Sequence, residues 1–261
     1  MSILIALFLG IIQGITEFLP ISSSGHLILF ENVLGVSGSN VFFNLILHFA
    51  SLIAVVIIFW KDVVYLVKNP FGKEMKRIIV ASIPTIIVAF VVRYCVEDYI
   101  LVMFLGYGFL LSSFIIFITS ILQKRKTNLG NLDFGYKQSF IIGLVQGFAV
   151  LPGISRSGST ICAGLIQGIN REESAKFSFL ISIPIILGGV GLEIVEGVRF
   201  GFGHINIGAS IIGFFASFLV ALFTIKLMMK IVKRGNWIYF SIYLLLLSIF
   251  VLINQYVLCL F

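Results

Sequence analysis

Three ionisable residues, Glu17, His26 and Arg156, interrupt otherwise apolar stretches of the chain, and each stands in or beside a cluster of proline, serine and glycine. The first cluster runs Pro20-Ile21-Ser22-Ser23-Ser24-Gly25-His26, and the second runs Pro152-Gly153-Ile154-Ser155-Arg156-Ser157-Gly158-Ser159-Thr160. Proline followed by serine and glycine suits a turn that feeds a helix N-terminus. Such a terminus presents free backbone N–H groups and the positive end of the helix dipole, a ready anion site. Serines there can simply cap helices, and Glu17 and Arg156 can simply be a buried ion pair. Two anion-type turns, one with a guanidinium fork and one with a Glu–His pair, suit more than capping. An arginine grips phosphate oxygens bidentately, and hydroxyls and N–H groups can hold the rest, so the combination fits a diphosphate.

The elements that must position these residues follow from hydropathy. Of 261 residues, 59% are hydrophobic and 11% charged, against roughly 25% charged in soluble domains. Such a surface belongs in lipid, and the chain reads as a polytopic integral membrane protein. Six stretches reach the length of a spanning helix: about 40–60, 77–96, 100–122, 176–196, 207–229 and 237–259. Residues 2–37 and 138–170 are apolar but broken in the middle by the two clusters, and neither arm is long enough to cross alone. Irregular backbone at membrane depth must be buried in protein or line a wet cavity, so both stretches are expected to be re-entrant helix hairpins. Gln13-Gly14 before the first cluster recurs as Gln146-Gly147 before the second, an offset of 133 residues and about half the chain. Each half then holds one hairpin and three spans. Three is odd, which predicts an inverted repeat of halves 1–130 and 131–261 within one integral membrane domain.

Loop charge orients the molecule. Lys61, Lys68, Lys73, Lys76 and Arg77 fall between the first two spans, Lys124, Arg125, Lys126 and Lys137 after the third, and Lys226, Lys230, Lys233 and Arg234 at or before the last turn. All lie on one side under the six-span plan, hence cytoplasmic. Glu97, Asp98, Glu193 and Glu196 fall opposite, with both termini outside. The net charge of +7 is accounted for by these loops, and no nucleic-acid-binding motif accompanies it. The apolar N-terminus lacks a basic leader and soon meets Gln13 and Glu17, which argues against a cleaved signal peptide. Cys95, Cys162 and Cys259 are scattered and read as small apolar side chains. His48, one helical turn after Asn44, reads as packing or support; His204 reads as a solvated loop residue. Pro84 and Pro184 read as kinks within spans.

At the level of motifs the chain resembles a known family. Gln13-x-x-x-Glu17 followed by Ser22-Ser23-Ser24-Gly25-His26 resembles the (E/Q)-x-x-x-E and S-S-x-G-H signatures of the bacterial undecaprenyl-diphosphate phosphatases, the bacitracin-resistance family. Pro152-Gly153-Ile154-Ser155-Arg156-Ser157-Gly158-Ser159-Thr160 is similar to that family's P-G-x-S-R-S-G-x-T motif, and Arg171 to Phe179 continues the likeness. The resemblance implies hydrolysis of C55 polyprenyl diphosphate to the monophosphate and phosphate, which recycles the cell-wall lipid carrier in the plasma membrane. It also implies a divalent cation, Mg²⁺ or Ca²⁺, with Glu17 as its carboxylate. Gln13 stands where some members carry Glu, and a carboxamide is a poorer ligand for a hard cation.

On chemical grounds Arg156 binds the diphosphate and stabilises the transferring phosphoryl group. His26 is the preferred nucleophile, oriented by Glu17, with Ser23 as nucleophile and His26 as base the competing assignment. Gln13, Ser22, Ser24, Gly25, Ser155, Ser157, Gly158 and Thr160 are expected around the phosphates. A polyprenyl-phosphate transporter would use the same architecture and the same phosphate-binding turns, and a homodimer is compatible with the sequence.

Overall fold

The structure, a computed structural model, describes residues 1–36, 41–96, 100, 103–125, 134–201, 206–235 and 237–258. The chain is all-α among the described residues. Its helices are α1 (Ile3–Thr16), α2 (Ser23–Val33), α3 (Val41–Ile58), α4 (Trp60–Lys68), α5 (Lys73–Cys95), α6 (Leu105–Arg125), α7 (Tyr136–Phe148), α8 (Arg156–Ile166), α9 (Arg171–Phe200), α10 (Ile207–Arg234) and α11 (Ile238–Ile253). Five of these, α5, α6, α9, α10 and α11, are long and apolar enough to cross a membrane, and α3 with α4 makes a sixth if that bent pair is one span. They coincide with the six stretches expected from hydropathy. The two broken stretches are the helix pairs α1–α2 and α7–α8, whose arms of 14, 11, 13 and 11 residues fall short of the ~20 needed to cross. The side chains of Lys124 and Arg125, together with Glu97, Asp98, Lys126, His204 and Cys259, lie outside the described residues.

Outward faces are apolar: Ile79, Ile83, Ile86, Ile87 and Phe90 of α5 are all about half exposed or more. In water that would be a large aggregation-prone patch; in lipid it is a matched surface. Helices α5 and α9 run unbroken through Pro84 and Pro184. Neighbouring hydroxyls bond local carbonyls, Ser82 to Ile78, Thr85 to Ala81 and Ser182 to Phe179. Such local bonding is how membrane helices tolerate proline.

One element differs from expectation. The 61–77 segment, expected as a loop, is mostly helical: α4 turns 82° from α3 at Phe59, and α5 already begins at Lys73. Trp60, Tyr65 and Val67 of α4 are exposed, while Asp62 bonds Lys176 of α9 at 2.5 Å. A short helix with aromatic and basic residues suits the headgroup layer. Its length was too short, and its charges too frequent, for hydropathy to flag it.

Polar contacts mark the two ends of the helix assembly. At one end Asp62 meets Lys176, Glu172 meets Lys233 at 2.9 Å, and Arg77 donates to the Phe134 carbonyl, so α4, the starts of α5 and α9 and the end of α10 come together. At the other end Asn206 donates to the Met1 carbonyl at 3.3 Å, and Tyr107 bonds Tyr256. The first hairpin begins at the Met1 end; the second begins beside Phe134, at the basic end.

Each hairpin's first arm lies against a span of the opposite half: α1 along α10, and α7 along α5. Both contacts use a glycine pair one turn apart, Gly10 and Gly14 in α1 and Gly143 and Gly147 in α7. A side chain on Gly14 would stand 2.7 Å from the Ser217 carbonyl, and one on Gly143 would collide with the Ala81 carbonyl. Small residues spaced four apart let helix backbones meet in lipid, where dispersion and hydrogen bonds replace the hydrophobic effect. Thr85 donates to the Gly143 carbonyl at 2.7 Å and accepts from Gln146, which secures the second contact. Helices α6 and α11 pair with each other, as do α3 and α9. Exchanging the halves maps each of these pairings onto itself or onto its counterpart.

Gly143→Ala is therefore expected to lower stability by at least about 1–3 kcal/mol, the usual cost of overpacking, because backbone blocks the new methyl. Gly188→Ala, at a glycine with nothing within 4 Å, should leave it unchanged. Thermal unfolding in detergent, followed by size-exclusion recovery, checks both; equal melting of the two variants would contradict the close helix contact.

Candidate active site

The site is built where the two hairpin turns meet. Helix α1 ends at Thr16, and Glu17 follows, buried at 5% exposure. Ser22 caps α2, its hydroxyl accepting from the Gly25 N–H at 3.3 Å. Ser155 caps α8 and accepts from the Gly158 N–H at 3.1 Å. Cap and glycine are thus related by the same 133-residue offset as the glutamines. The two turns are pressed together. A methyl on Gly25 would stand 3.1 Å from Gly153, and one on Gly158 would stand 2.9 Å from Pro20. Ser157 donates to the Leu19 carbonyl at 3.0 Å, a bond between the hairpins. Ser112 of α6 holds the second turn from behind, accepting from the Ser155 N–H at 2.8 Å and donating to the Gly153 carbonyl at 3.1 Å.

The first residues of the two helices, Ser23 and Arg156, occupy equivalent positions in the repeat, and both reach Glu17. Ser23 Oγ donates to Glu17 Oε2 at 2.6 Å, and Arg156 Nη2 bonds Glu17 Oε1. Gln13, one helical turn earlier, donates to Oε2 at 3.0 Å and its amide also meets His48 Nδ1 at 3.1 Å. His48 Nδ1 itself lies 3.7 Å from Glu17 Oε2. Two buried atoms here have no protein partner, Arg156 Nη1 and Gln13 Oε1. A buried donor left unpaired is costly, so Arg156 has one nitrogen committed to Glu17 and one left for an anion.

A cleft of about 40 Å³ opens beside this cluster, lined by Thr16, Glu17, Ser22, Ser23, Ser24, Ala149, Ile154, Ser155, Arg156 and Ser157. That volume holds about three waters. A larger cavity of about 360 Å³ lies at the basic end, among α4, α5 and α9. Its charges include the Asp62–Lys176 and Glu74–Arg77 pairs, and no serine turn faces it. The carboxylate, the arginine and both serine turns line the smaller cleft.

Of the residues expected at the site, the structure brings together Glu17, Arg156, Ser23, Ser22, Ser24, Ser155 and Ser157, with Gln13 directly behind Glu17. It does not bring His26 to Glu17. The His26 ring is buried outside the cleft, with Nδ1 on the Ser22 carbonyl at 2.7 Å and Nε2 on the Tyr243 hydroxyl at 2.6 Å. Thr160 also faces away, donating to the Arg156 carbonyl and sharing a 2.5 Å bond with Ser178. The N–H groups of Gly25 and Gly158 are taken by the capping hydroxyls. Helical period explains these departures: one turn beyond Ser22, residue 26 lies over the cap and not over the cleft. His48, expected as packing or support, stands behind the cluster, 3.1 Å from Gln13 and 3.7 Å from Glu17; its spacing from Asn44 marked a polar face but could not say what the face meets. Tyr243 and Ser112 carry no signal in the sequence at all.

As a cation site the donor set is lean. Among the described residues no three His, Cys, Asp or Glu side chains converge, and both oxygens of Glu17 are engaged. Glu17 with the unpartnered Oε1 of Gln13 offers two hard oxygens. That fits Mg²⁺-type binding, in which substrate phosphates and water complete the shell, and does not fit an all-protein cage.

Comparison with known proteins decides the family. Residues 6–250 match the family described as bacitracin resistance protein BacA. The chain belongs to the BacA family. The undecaprenyl-diphosphatase of Carboxydothermus hydrogenoformans is 36% identical to it over 253 residues, covering 96% of both chains. That of Halothermothrix orenii is 37% identical, covering 97% of this chain and 98% of its own. That of Methanosphaera stadtmanae is 35% identical, covering 99% and 100%. The match spans both hairpins and so takes in every residue of the cleft.

Within this BacA-family chain, Ser112 joins α6 to the second turn by two bonds that a methyl cannot replace. Ser112→Ala should cost about 1–3 kcal/mol for each backbone group left buried and unpaired, and with it the register of Arg156. Melting in detergent reads the loss; an unchanged melting temperature would show that the turn does not depend on Ser112.

Proposed function

We propose that this chain hydrolyses the terminal phosphate of C55 undecaprenyl diphosphate, releasing phosphate and the monophosphate that carries cell-wall precursors. The observation that carries the reading is the cluster at the cleft: one carboxylate bonded to a serine hydroxyl and to an arginine with a free terminal nitrogen, between two serine-capped helix ends. Membership of the BacA family and the names of its relatives supply the substrate.

Ser23 is the nucleophile in this proposal. Its Oγ attacks the terminal phosphorus, the bond to the bridging oxygen breaks, and polyprenyl monophosphate leaves. Glu17 accepts the Ser23 proton, as the 2.6 Å hydrogen bond already prepares. Glu17 yields that proton to the departing monophosphate; water then attacks the phosphoserine, Glu17 takes the water's proton and returns it to Ser23 Oγ as phosphate leaves. The reading prefers Ser23 to His26 because both His26 nitrogens are committed and the ring does not line the cleft. Arg156 is held by Glu17 in the absence of substrate; the diphosphate competes for its guanidinium, and binding frees Glu17 Oε1. Arg156 then neutralises charge on the three oxygens of the transferring group, and Ser22, Ser24, Ser155 and Ser157 complete the phosphate shell. Glu17 and Gln13 Oε1 would hold a divalent cation, which would supply charge neutralisation. All these groups come from one chain.

The proposal includes orientation. The two halves form an inverted repeat in the bacterial plasma membrane, the basic end is cytoplasmic, both termini lie outside, and the cleft opens outward while the prenyl tail stays in lipid.

Phosphate release from C55 diphosphate by the purified protein tests the activity. Parent turnover should be lost at least ~100-fold in Ser23→Ala, with the protein still folded. Background release by the parent would favour a lipid transporter, and near-parental activity of Ser23→Ala would remove Ser23 as the nucleophile.

A further inference from the structure

Ser22 is the one non-glycine residue among those described whose backbone lies at positive φ, 71° with ψ 100°. Side chains disfavour that region, so something must hold the turn that delivers Ser23 to Glu17. The Ser22 carbonyl accepts two bonds from the same residue: the His26 N–H at 3.2 Å and the His26 ring at 2.7 Å. A carbonyl can only accept, so Nδ1 of the neutral ring carries the proton and Nε2 is left as an acceptor. The Tyr243 hydroxyl, brought by α11 from 217 residues away, donates to it at 2.6 Å. The two rings lie nearly parallel, 12° apart with centroids at 5.7 Å, and Phe109 closes the other side of the imidazole edge-on at 5.5 Å.

We propose that Tyr243 and His26 are a positioning pair for the reaction: Tyr243 sets the imidazole tautomer, the imidazole holds the Ser22 carbonyl, and the strained turn aims Ser23 Oγ at Glu17. The proposal rests on Ser23 as the attacking group. It assigns His26 an indirect role in turnover, and it gives a residue on the last helix, remote from the cleft, a share in catalysis. Tyr243 is half-exposed, so an exposed position on α11 and the nucleophile are joined by two hydrogen bonds and the Ser22–Ser23 backbone.

The test is a double-mutant cycle on Tyr243→Phe and His26→Asn in the full-length protein, assayed for phosphate release from a C15 prenyl diphosphate in detergent. Tyr243→Phe keeps the ring stack and removes the one hydrogen bond. It should lower kcat about 10- to 100-fold, the scale of a misplacement near 1 Å, with KM within about twofold because Arg156, Ser155 and Ser157 on the second hairpin are untouched. The double variant should be no slower than His26→Asn alone, since both act through one path. Nitrogen NMR of ¹⁵N-histidine protein should find His26 protonated at Nδ1 in the parent. Parental kcat in Tyr243→Phe, losses that multiply in the double variant, or a His26 proton on Nε2 alone would each overturn the pair. An inactive Ser23→Ala beside a fully active Tyr243→Phe refutes the positioning pair only, whereas an active Ser23→Ala refutes the nucleophile reading and the pair with it.

Discussion

A carboxylate and a guanidinium buried together within a membrane protein govern the rest of this fold. Neither Glu17 nor Arg156 could be left alone at such depth without a cost of several kcal/mol, and each sits on a different hairpin. Pairing them requires that the two turns touch. The remaining features of the site follow from that requirement: the arms must be short enough to end at membrane depth, the tips must carry glycine where they abut, and every backbone group in the two turns must find a partner. Ser22, Ser155, Ser157 and Ser112 provide those partners.

The same pair connects structure to chemistry. An arginine held by one carboxylate oxygen, with a second nitrogen unmatched, is poised to exchange Glu17 for a more highly charged anion. A diphosphate can make that exchange, and its arrival leaves a carboxylate already bonded to a serine hydroxyl. The cleft is narrow, about 40 Å³, and in the proposed reaction the competition for Arg156 gives the substrate a direct part in opening it. The close helix contacts at Gly14 and Gly143 have the complementary task. They set the first arm of each hairpin closely against a span of the other half.

How much of this was legible in the sequence depends on the range of the interaction. The spans were readable because twenty apolar residues in a row have one physical use, and the hairpins because Pro20 and Pro152, with their serines, interrupt runs too short to cross. Glu17, His26 and Arg156 stood out because their cost in lipid demands partners, and the structure pairs Glu17 with Arg156. Helix α4 was not, since its frequent charges mask an interfacial helix as a loop. The glycine pairs at Gly10–Gly14 and Gly143–Gly147 were visible as a four-residue spacing but passed unused; that signal could have shown which arms pack closely. The assumed Glu17–His26 contact is not made, His26 bonding Ser22 and Tyr243 instead, because a nine-residue separation across a turn says nothing about which way the ring faces. Tyr243 and Ser112 act through contacts far along the chain, and no local pattern announces them.

The central claim is that the Glu17–Arg156 pair couples the two hairpins. A stability cycle measures it directly: melting of the parent, Glu17→Gln, Arg156→Gln and the double variant in the same detergent. Removing one partner leaves a buried group unmatched, so the Glu17→Gln and Arg156→Gln variants should each be destabilised by about 3–5 kcal/mol. Removing both should cost less than the two single losses together, by a coupling of about 1–3 kcal/mol. Losses that simply add in the double variant would contradict the account, because the two side chains would then be supporting their hairpins independently.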